Sequence, residues 1–383
     1  MKIVHICLVG TVTDGWNYQE NILTKYHRLQ GNDVVIVASQ WVRGDDVDLK
    51  QDEREAYTYQ GVAVRRIPNL IGNINSKIKL YRGVRHALEE EAPDILFIHG
   101  CQFLDICTIA AYCKQHPQVK VYVDNHADFS NSATNWLSKN ILHKLLWRWC
   151  AHRIEPYTTK FYGVLPARVE FLKDIYSLPA EKCELLVMGA DDELVQAAAQ
   201  PQVRQRIREQ YGIAENDFLV MTGGKIDAFK TQTLLLMEAV RNIENPNVKL
   251  IVFGSVTPEL KAQVEALADG ILVQYIGWVQ AKDSYEYFAA ADLVVFPGRH
   301  SVFWEQVAAQ GVPMLCKYWD GTTHVDLGGN VRFLEQDSVD EIQNAIEDLI
   351  GDADAYMEMK HIALERGMKE FAYSDIARRS IEQ

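Results

Sequence analysis

The sequence predicts an α/β protein of two doubly wound domains, each a parallel sheet with helices on both faces. Three observations carry this. The chain has 383 residues, too long for one ordinary domain and sufficient for two. Short β-branched runs alternate with longer amphipathic stretches from end to end. And that alternation breaks once and restarts in the second half.

In the first half, residues 3–9, 33–38, 63–67, 95–99, 119–124 and 161–165 read as strands. Residues 21–29 and 78–90 have helical periodicity between them. The start, Met1-Lys2-Ile3-Val4, lacks the length and cleavage site of a signal peptide and reads as a buried first strand. The second series is 218–222, 249–253, 272–276, 293–296 and 313–316. The break falls near Gly189-Ala190-Asp191-Asp192, ahead of a polar segment rich in Ala and Gln. This gives a first domain of 1–188 and a second of 189–365, both Rossmann-like. Open parallel sheets bind ligands at the carboxyl ends of their strands. Two such sheets facing each other place the expected site in the interdomain cleft.

Composition excludes several classes. Hydrophobic residues make up 48% and charged residues 24%, as in a water-soluble globular protein. No run approaches the roughly 18 apolar residues of a membrane span. The seven cysteines are scattered and never form C-x-x-C, which argues against a disulfide framework or zinc site and for a cytoplasmic location. A net charge of -13 argues against nucleic acid as a partner.

Chemistry concentrates in two stretches. In Phe218–Gly223 and onward to Lys230, a strand ends in Gly223-Gly224, followed by Lys225 and Lys230. Glycines there let a ligand approach the backbone, and two lysines at a strand-to-helix turn match the charges of a nucleotide diphosphate. The competing reading is a surface turn with solvated lysines. The second stretch, 292–313, is a buried strand, a Pro297-Gly298 turn, then a helix with Ser301 as its cap. Glu305 lies one turn in, where a carboxylate can accept hydroxyl hydrogen bonds or complement the helix dipole.

Together these stretches resemble the retaining GT-B glycosyltransferases of family 4. That family ends a strand in Gly-Arg with a lysine five positions on; here Lys225 replaces the arginine and Lys230 holds the lysine place. Its Glu-x7-Glu helix and following Gly-x-Pro are matched in their later part by Glu305, Gly311 and Pro313, with Ala309 between them at a shorter spacing than the family's Ala-x-x-x-Gly. The resemblance implies that Glu305 holds the donor ribose. Where the first glutamate falls by spacing stands Pro297, and His300 is the nearest polar residue to take its role. The family's glycine-rich segment is missing, which leaves Ser301 and its neighbours to face the phosphates.

Further matches extend along the chain. Gly277-Trp278 resembles the segment whose backbone reads the nucleotide base, although a plain strand-to-loop turn accounts for Trp278 equally well. Gly189-Ala190-Asp191 resembles the start of the interdomain linker. Phe371-Ala372-Tyr373-Ser374 resembles the start of the last helix, implying that 366–383 packs back on the first domain. In the loop after the first strand, Gly15 fills the place of a family glycine pair. Trp16, Asn17, Tyr18 and Glu20 there are acceptor-binding candidates, set against ordinary loop and cap roles. His126, after a strand, resembles the histidine this family places near the transferred sugar. Residues 139–153 are basic, aromatic and helical in period; they suit either a helix packed on the sheet or peripheral contact with an acidic membrane.

The resemblance implies a metal-independent hexosyltransferase of the EC 2.4 type, with no cofactor. It would move a sugar from a UDP- or GDP-sugar to a hydroxyl of a glycan or lipid-linked acceptor with retention, in surface polysaccharide or glycoconjugate synthesis. His126, Lys225, Lys230 and Glu305 are the catalytic candidates. Gly15, Gly224, Gly277, Trp278, His300, Ser301 and Glu305 are the donor-binding candidates. The alternatives are a GT-B-like epimerase and an inactive sugar-nucleotide-binding protein, the latter kept alive by the missing first glutamate.

Overall fold

The structure is a computed structural model that describes residues 1–44 and 48–382. It divides into two compact units, Met1–Val187 with Ile376–Gln383, and Met188–Asp375.

The first unit is built on strands β1 (Lys2–Cys7), β2 (Asp33–Ser39), β3 (Ala56–Tyr59), β4 (Val62–Ile67), β5 (Ile95–His99), β6 (Lys120–Asn125), β7 (Thr158–Gly163) and β8 (Cys183–Leu185). They lie in the order β8-β7-β6-β5-β1-β2-β4-β3. All neighbours are parallel except the edge hairpin β3–β4. Ile3, Val4 and Ile6 of β1 and Ile95 to Ile98 of β5 are buried without alternation, because helices cover both faces of a parallel sheet. The hairpin turns at Gln60-Gly61, both with positive φ (48° and 78°), the conformation that matches strand twist in a two-residue turn.

The described helices of this unit include α1 (Gln19–Leu29) and α2 (Val84–Glu91). The sequence placed the second of these at 78–90. Instead Leu80–Tyr81 pairs as a short strand with Asn69–Ile71, and the helix starts only after Gly83, whose φ of 90° halts any helix there. Residues Ser138–Trp147 form a wide π-helix that continues directly into α3 (Arg148–Ile154).

The second unit has strands β9 (Phe218–Gly223), β10 (Val248–Phe253), β11 (Val273–Tyr275), β12 (Leu293–Phe296), β13 (Met314–Lys317) and β14 (Val331–Leu334). Their order is β11-β10-β9-β12-β13-β14, parallel throughout. The chain winds from β9 outward through β10 to β11, then returns to the other side of β9. The β9/β12 boundary is therefore a topological switch point, where a crevice opens beyond the strands' carboxyl ends. Helices α4 (Gln232–Asn242), α5 (Phe303–Ala309) and α6 (Ala353–Phe371) pack around this sheet.

The sequence had the chain return to the first unit at 366. The structure puts the division at Ile376, within α7 (Tyr373–Arg379). The reason is that α6 runs unbroken to Phe371 and lies hard against α5: a Cβ on Gly367 would stand 1.9 Å from the Ala308 carbonyl oxygen. The Ala190 amide then donates to Phe371 O (2.9 Å), which holds this end of α6 to the second unit.

Among the described residues, no helix is long and apolar enough to cross a membrane. All seven cysteines are free thiols.

Candidate active site

The switch point of the second unit holds a narrow crevice, open to solvent on one side. Its walls are the carboxyl ends of β9 and β12 and the turns that follow. Gly224, Lys225, Lys230 and Ser301 all line it, so four of the sequence's candidates converge. Arg299 lines it too, and was missed. The signal was its place directly after the Pro-Gly turn that ends β12.

The backbone explains how this crevice forms. The Gly224 amide donates to Phe253 O (3.0 Å), and the Ile226 amide to Ser255 O (2.8 Å), so the β9 turn is laced to the end of β10. Gly254 makes that closeness possible: a Cβ there would lie 1.9 Å from Gly224 O. The Gly254 amide in turn donates to Gly277 O (2.7 Å). Gly277 thus supports the floor of the crevice without lining it. Trp278 beside it is 69% exposed and outside the crevice.

Three cations face this space. Lys225 is largely exposed and pairs with Asp227 at 3.4 Å. Lys230 is half-buried; burial pushes its ammonium below the usual lysine range, Asp227 opposes that shift and Lys225 adds to it. The Arg299 guanidinium lies 5.1 Å from the Phe229 ring centroid. Three positive side chains at one strand-end crevice favour a polyanionic ligand.

Two expectations need correction. Ser301 is not a helix cap: α5 starts at Phe303 after Val302, with no side-chain cap bond, and Ser301 serves through its carbonyl, which accepts from the Trp304 amide (3.0 Å). Glu305 and His300 do not line the crevice. Glu305 is fully buried on the inner side of α5, where its Oε1 accepts from His300 Nε2 (2.9 Å) and His324 Nε2 (2.8 Å). Burial opposes its ionisation, but the two imidazoles hold its carboxyl well below the usual carboxylate range. Every residue from Trp304 to Ala309 is buried, and the second carboxylate oxygen of Glu305, Oε2, has no hydrogen-bond partner. His324 was not foreseen, since its partner lies 19 residues away.

His300 Nε2, Glu305 Oε1 and His324 Nε2 lie within 4.8 Å of one another, a metal-ligand spacing. Their chemistry fits a hydrogen-bonded cluster better. Both imidazoles approach one oxygen at hydrogen-bond distance. His324 Nδ1 also has no partner, whereas a histidine that ligates through Nε2 needs an acceptor for its Nδ1–H.

In the first unit, the switch point lies between β1 and β5. Gly15, Trp16, Asn17 and Tyr18 form the loop after β1, and Glu20 sits in the first turn of α1. The Trp16 amide donates to Thr13 O (3.3 Å), and the Trp16 and Tyr18 rings lie 5.2 Å apart. Tyr18 is exposed, and the buried Nδ2 of Asn17 has no partner, so the loop offers both an aromatic face and a polar group.

His126 stands just beyond β6, half-exposed, with Nε2 3.6 Å from Asp124 Oδ2. Behind Asp124 runs a row that the sequence did not reveal, because its members come from four elements. Asp124 Oδ2 meets His99 Nδ1 (2.7 Å), His99 Nε2 meets His5 Nδ1 (3.0 Å), and His5 Nε2 meets His27 Nδ1 (3.0 Å). His27 Nε2 reaches Ala377 O at 3.0 Å. A carbonyl can only accept, so His27 carries its proton on Nε2 and accepts at Nδ1. It follows that His5 donates from Nε2 and accepts at Nδ1, and that His99 donates from both nitrogens. His99 is thus an imidazolium paired with the Asp124 carboxylate. The directions agree: burial lowers His5 far below the usual imidazole range and His27 to about 4, while Asp124 overcomes burial to raise His99.

Residues 217–352 match the family model described as Glycosyl transferases group 1. No curated protein matches the chain. The structure is similar to HepE of Anabaena, solved in complex with UDP, at 16% identity over 100% of this chain and 99% of that one, with a TM-score of 0.71. It is similar to sucrose-phosphate synthase of Thermosynechococcus elongatus at 13% identity over 99% and 96%, with a TM-score of 0.68. A Listeria monocytogenes protein assigned as a UDP-N-acetylglucosamine 2-epimerase aligns at 14% identity over 99% and 94%, with a TM-score of 0.62. The chain therefore has the GT-B fold of two Rossmann-like domains, and the stretch that bears its three-cation crevice matches the group 1 glycosyl transferases.

Proposed function

We propose that this protein is a glycosyltransferase that takes a hexosyl group from a nucleotide diphosphate sugar and passes it to an acceptor hydroxyl. The observation that carries the reading is the convergence of Lys225, Lys230 and Arg299 on one crevice at the switch point of the second unit. As the glycosidic bond breaks, negative charge grows on the departing diphosphate. Cations fixed around it stabilise that charge more than they stabilise the bound donor, and that difference lowers the barrier. Resemblance to family 4 supports retention, with the leaving phosphate taking the acceptor proton on the same face. The UDP of the similar Anabaena protein favours a UDP-sugar over a GDP-sugar.

Trp16, Asn17, Tyr18 and Glu20 would receive the acceptor, with aromatic faces for a sugar ring and polar groups for its hydroxyls. His126 would bond the transferred sugar or acceptor hydroxyl, with Asp124 Oδ2 3.6 Å from its Nε2. Trp278 would stack beside the base. A glycan or lipid-linked acceptor in surface polysaccharide synthesis, at the cytoplasmic side of a membrane, fits this reading.

The test is direct. UDP, GDP and ADP are compared by thermal shift, and UDP is expected to raise the melting temperature most. At a hundred times its Kd a ligand adds about 2.7 kcal/mol of stability. No shift with any of the three would refute the reading. The similarity to the Listeria protein supports epimerisation as a second reading. An epimerase converts a UDP-sugar to its epimer with no acceptor present, whereas a transferase releases UDP in proportion to glycosylated product.

A further inference from the structure

We infer that the helix from Ser138 to Ile154 is a docking surface for an anionic lipid bilayer. The inference rests on the transferase reading only for its consequence, that the acceptor is held in the membrane.

Two features of this helix point outward together. Leu137, Ile141, Leu145 and Trp149 recur at every fourth residue and are 61%, 41%, 61% and 45% exposed. Trp136, just before the helix, is 71% exposed. The other face is conventional core: His143, Trp147, Cys150, Ala151 and Ile154 are buried. Four-residue steps keep successive members of this row on neighbouring turns of one side of the helix. A row of large apolar side chains left in water on a helix that already has a buried face needs a partner.

Charge decides which partner. Between 139 and 153 the helix carries Lys139, Lys144, Arg148 and Arg153 and no acidic residue, in a protein of net charge -13. Lys144, Arg148 and Arg153 are exposed beside the apolar row. Long cationic side chains that flank an apolar stripe match a bilayer whose headgroups are anionic and whose acyl chains begin just beneath.

The helix is tied to the candidate site. The loop from His126 to Leu137 joins them and is knitted by its own bonds: Asn131 Nδ2 donates to His126 O (2.7 Å) and Ser138 Oγ to Ser132 O (2.5 Å). His143 on the helix also bonds Ser132 Oγ (2.9 Å). A helix lying in the headgroup layer therefore carries His126 on a short, braced connection, at the depth where the hydroxyl of a lipid-linked acceptor emerges.

The experiment is vesicle co-sedimentation of the full chain. Its probes are phosphatidylcholine vesicles with and without about one third phosphatidylglycerol, at low and high salt. Binding to the anionic vesicles should exceed binding to neutral ones by at least about tenfold and should fall with salt. L145E/W149E changes only exposed side chains, so its melting temperature and UDP thermal shift should match wild type while anionic-vesicle binding drops by about tenfold or more. Equal binding of wild type to both vesicles, or no binding to either, overturns the inference. So does a wild-type dimer that L145E/W149E makes monomeric, because a second copy would then cover the row. The UDP shift reports on the transferase reading independently, so the failure of one is separable from the failure of the other.

Discussion

Lys230 is held half-buried beside Lys225 and Asp227, with its ammonium below the ordinary lysine range. A desolvated charge acts through fewer waters than an exposed one, so this lysine should matter more than Lys225. Lys230→Ala should lower turnover with the nucleotide sugar about a hundredfold, the scale of one lost charge-stabilising donor. Initial rates at saturating donor measure it, and Lys225→Ala should lose less. The depressed value also sets a pH trend. The diphosphate needs the protonated form, so UDP affinity should fall as pH rises, and should do so at lower pH than an ordinary lysine permits. A titration of UDP binding across alkaline pH checks the direction, and Lys230→Arg should flatten it. Glu305 makes the opposite case. Fully buried between His300 and His324, it should act on stability, with Glu305→Ala costing about 2 kcal/mol in denaturant unfolding, as for buried hydrogen-bonding groups left unpaired. Its carboxyl is held low, so this stabilisation is complete above the ordinary value of 4.5 and is lost as pH falls toward the folded-state value. Unchanged unfolding with weakened UDP binding would instead restore Glu305 to the donor. The two lysines were legible because they follow one strand within eight residues. The fate of Glu305 was not, because its second partner, His324, lies 19 residues further on and leaves no trace in local spacing.

Elements differ in how far local pattern determines them. Central strands such as β1, β5, β9 and β12 are continuous apolar runs and stand out in the sequence. Strands β3, β8 and β14 do not, since an edge position leaves them half-exposed and chemically mixed. The α5–α6 contact was equally hidden, and it reverses a general rule. Alanine normally stabilises a helix relative to glycine by about 1 kcal/mol. At Gly367 the added methyl would stand 1.9 Å from the Ala308 carbonyl, a backbone atom that cannot swing aside. Gly367→Ala should therefore destabilise the protein by at least about 2 kcal/mol, through overpacking. Equilibrium unfolding tests this, and a stabilised variant would mean that α6 does not press on α5 as described.

At the scale of the whole molecule, the doubled α/β alternation made the two-domain architecture readable from the chain alone. The point of return did not follow from it, since the long-range packing of α6 on α5 at Gly367 leaves no mark in local periodicity. That return carries a consequence for synthesis. The first unit needs residues from 376 onward: Ala377 O receives the proton of His27, Ile381 O that of the Tyr122 hydroxyl at 3.0 Å, and Ser380 O that of Tyr162 at 3.3 Å. All three donors are buried. A ribosome finishes Val187 and then makes about 190 further residues before those acceptors exist, a delay of roughly ten to forty seconds at ~5–20 residues per second. Throughout that interval the nascent amino-terminal sheet holds the imidazole chain with no terminal acceptor, and its helical neighbour is still missing. The first half translated is thus among the last to settle.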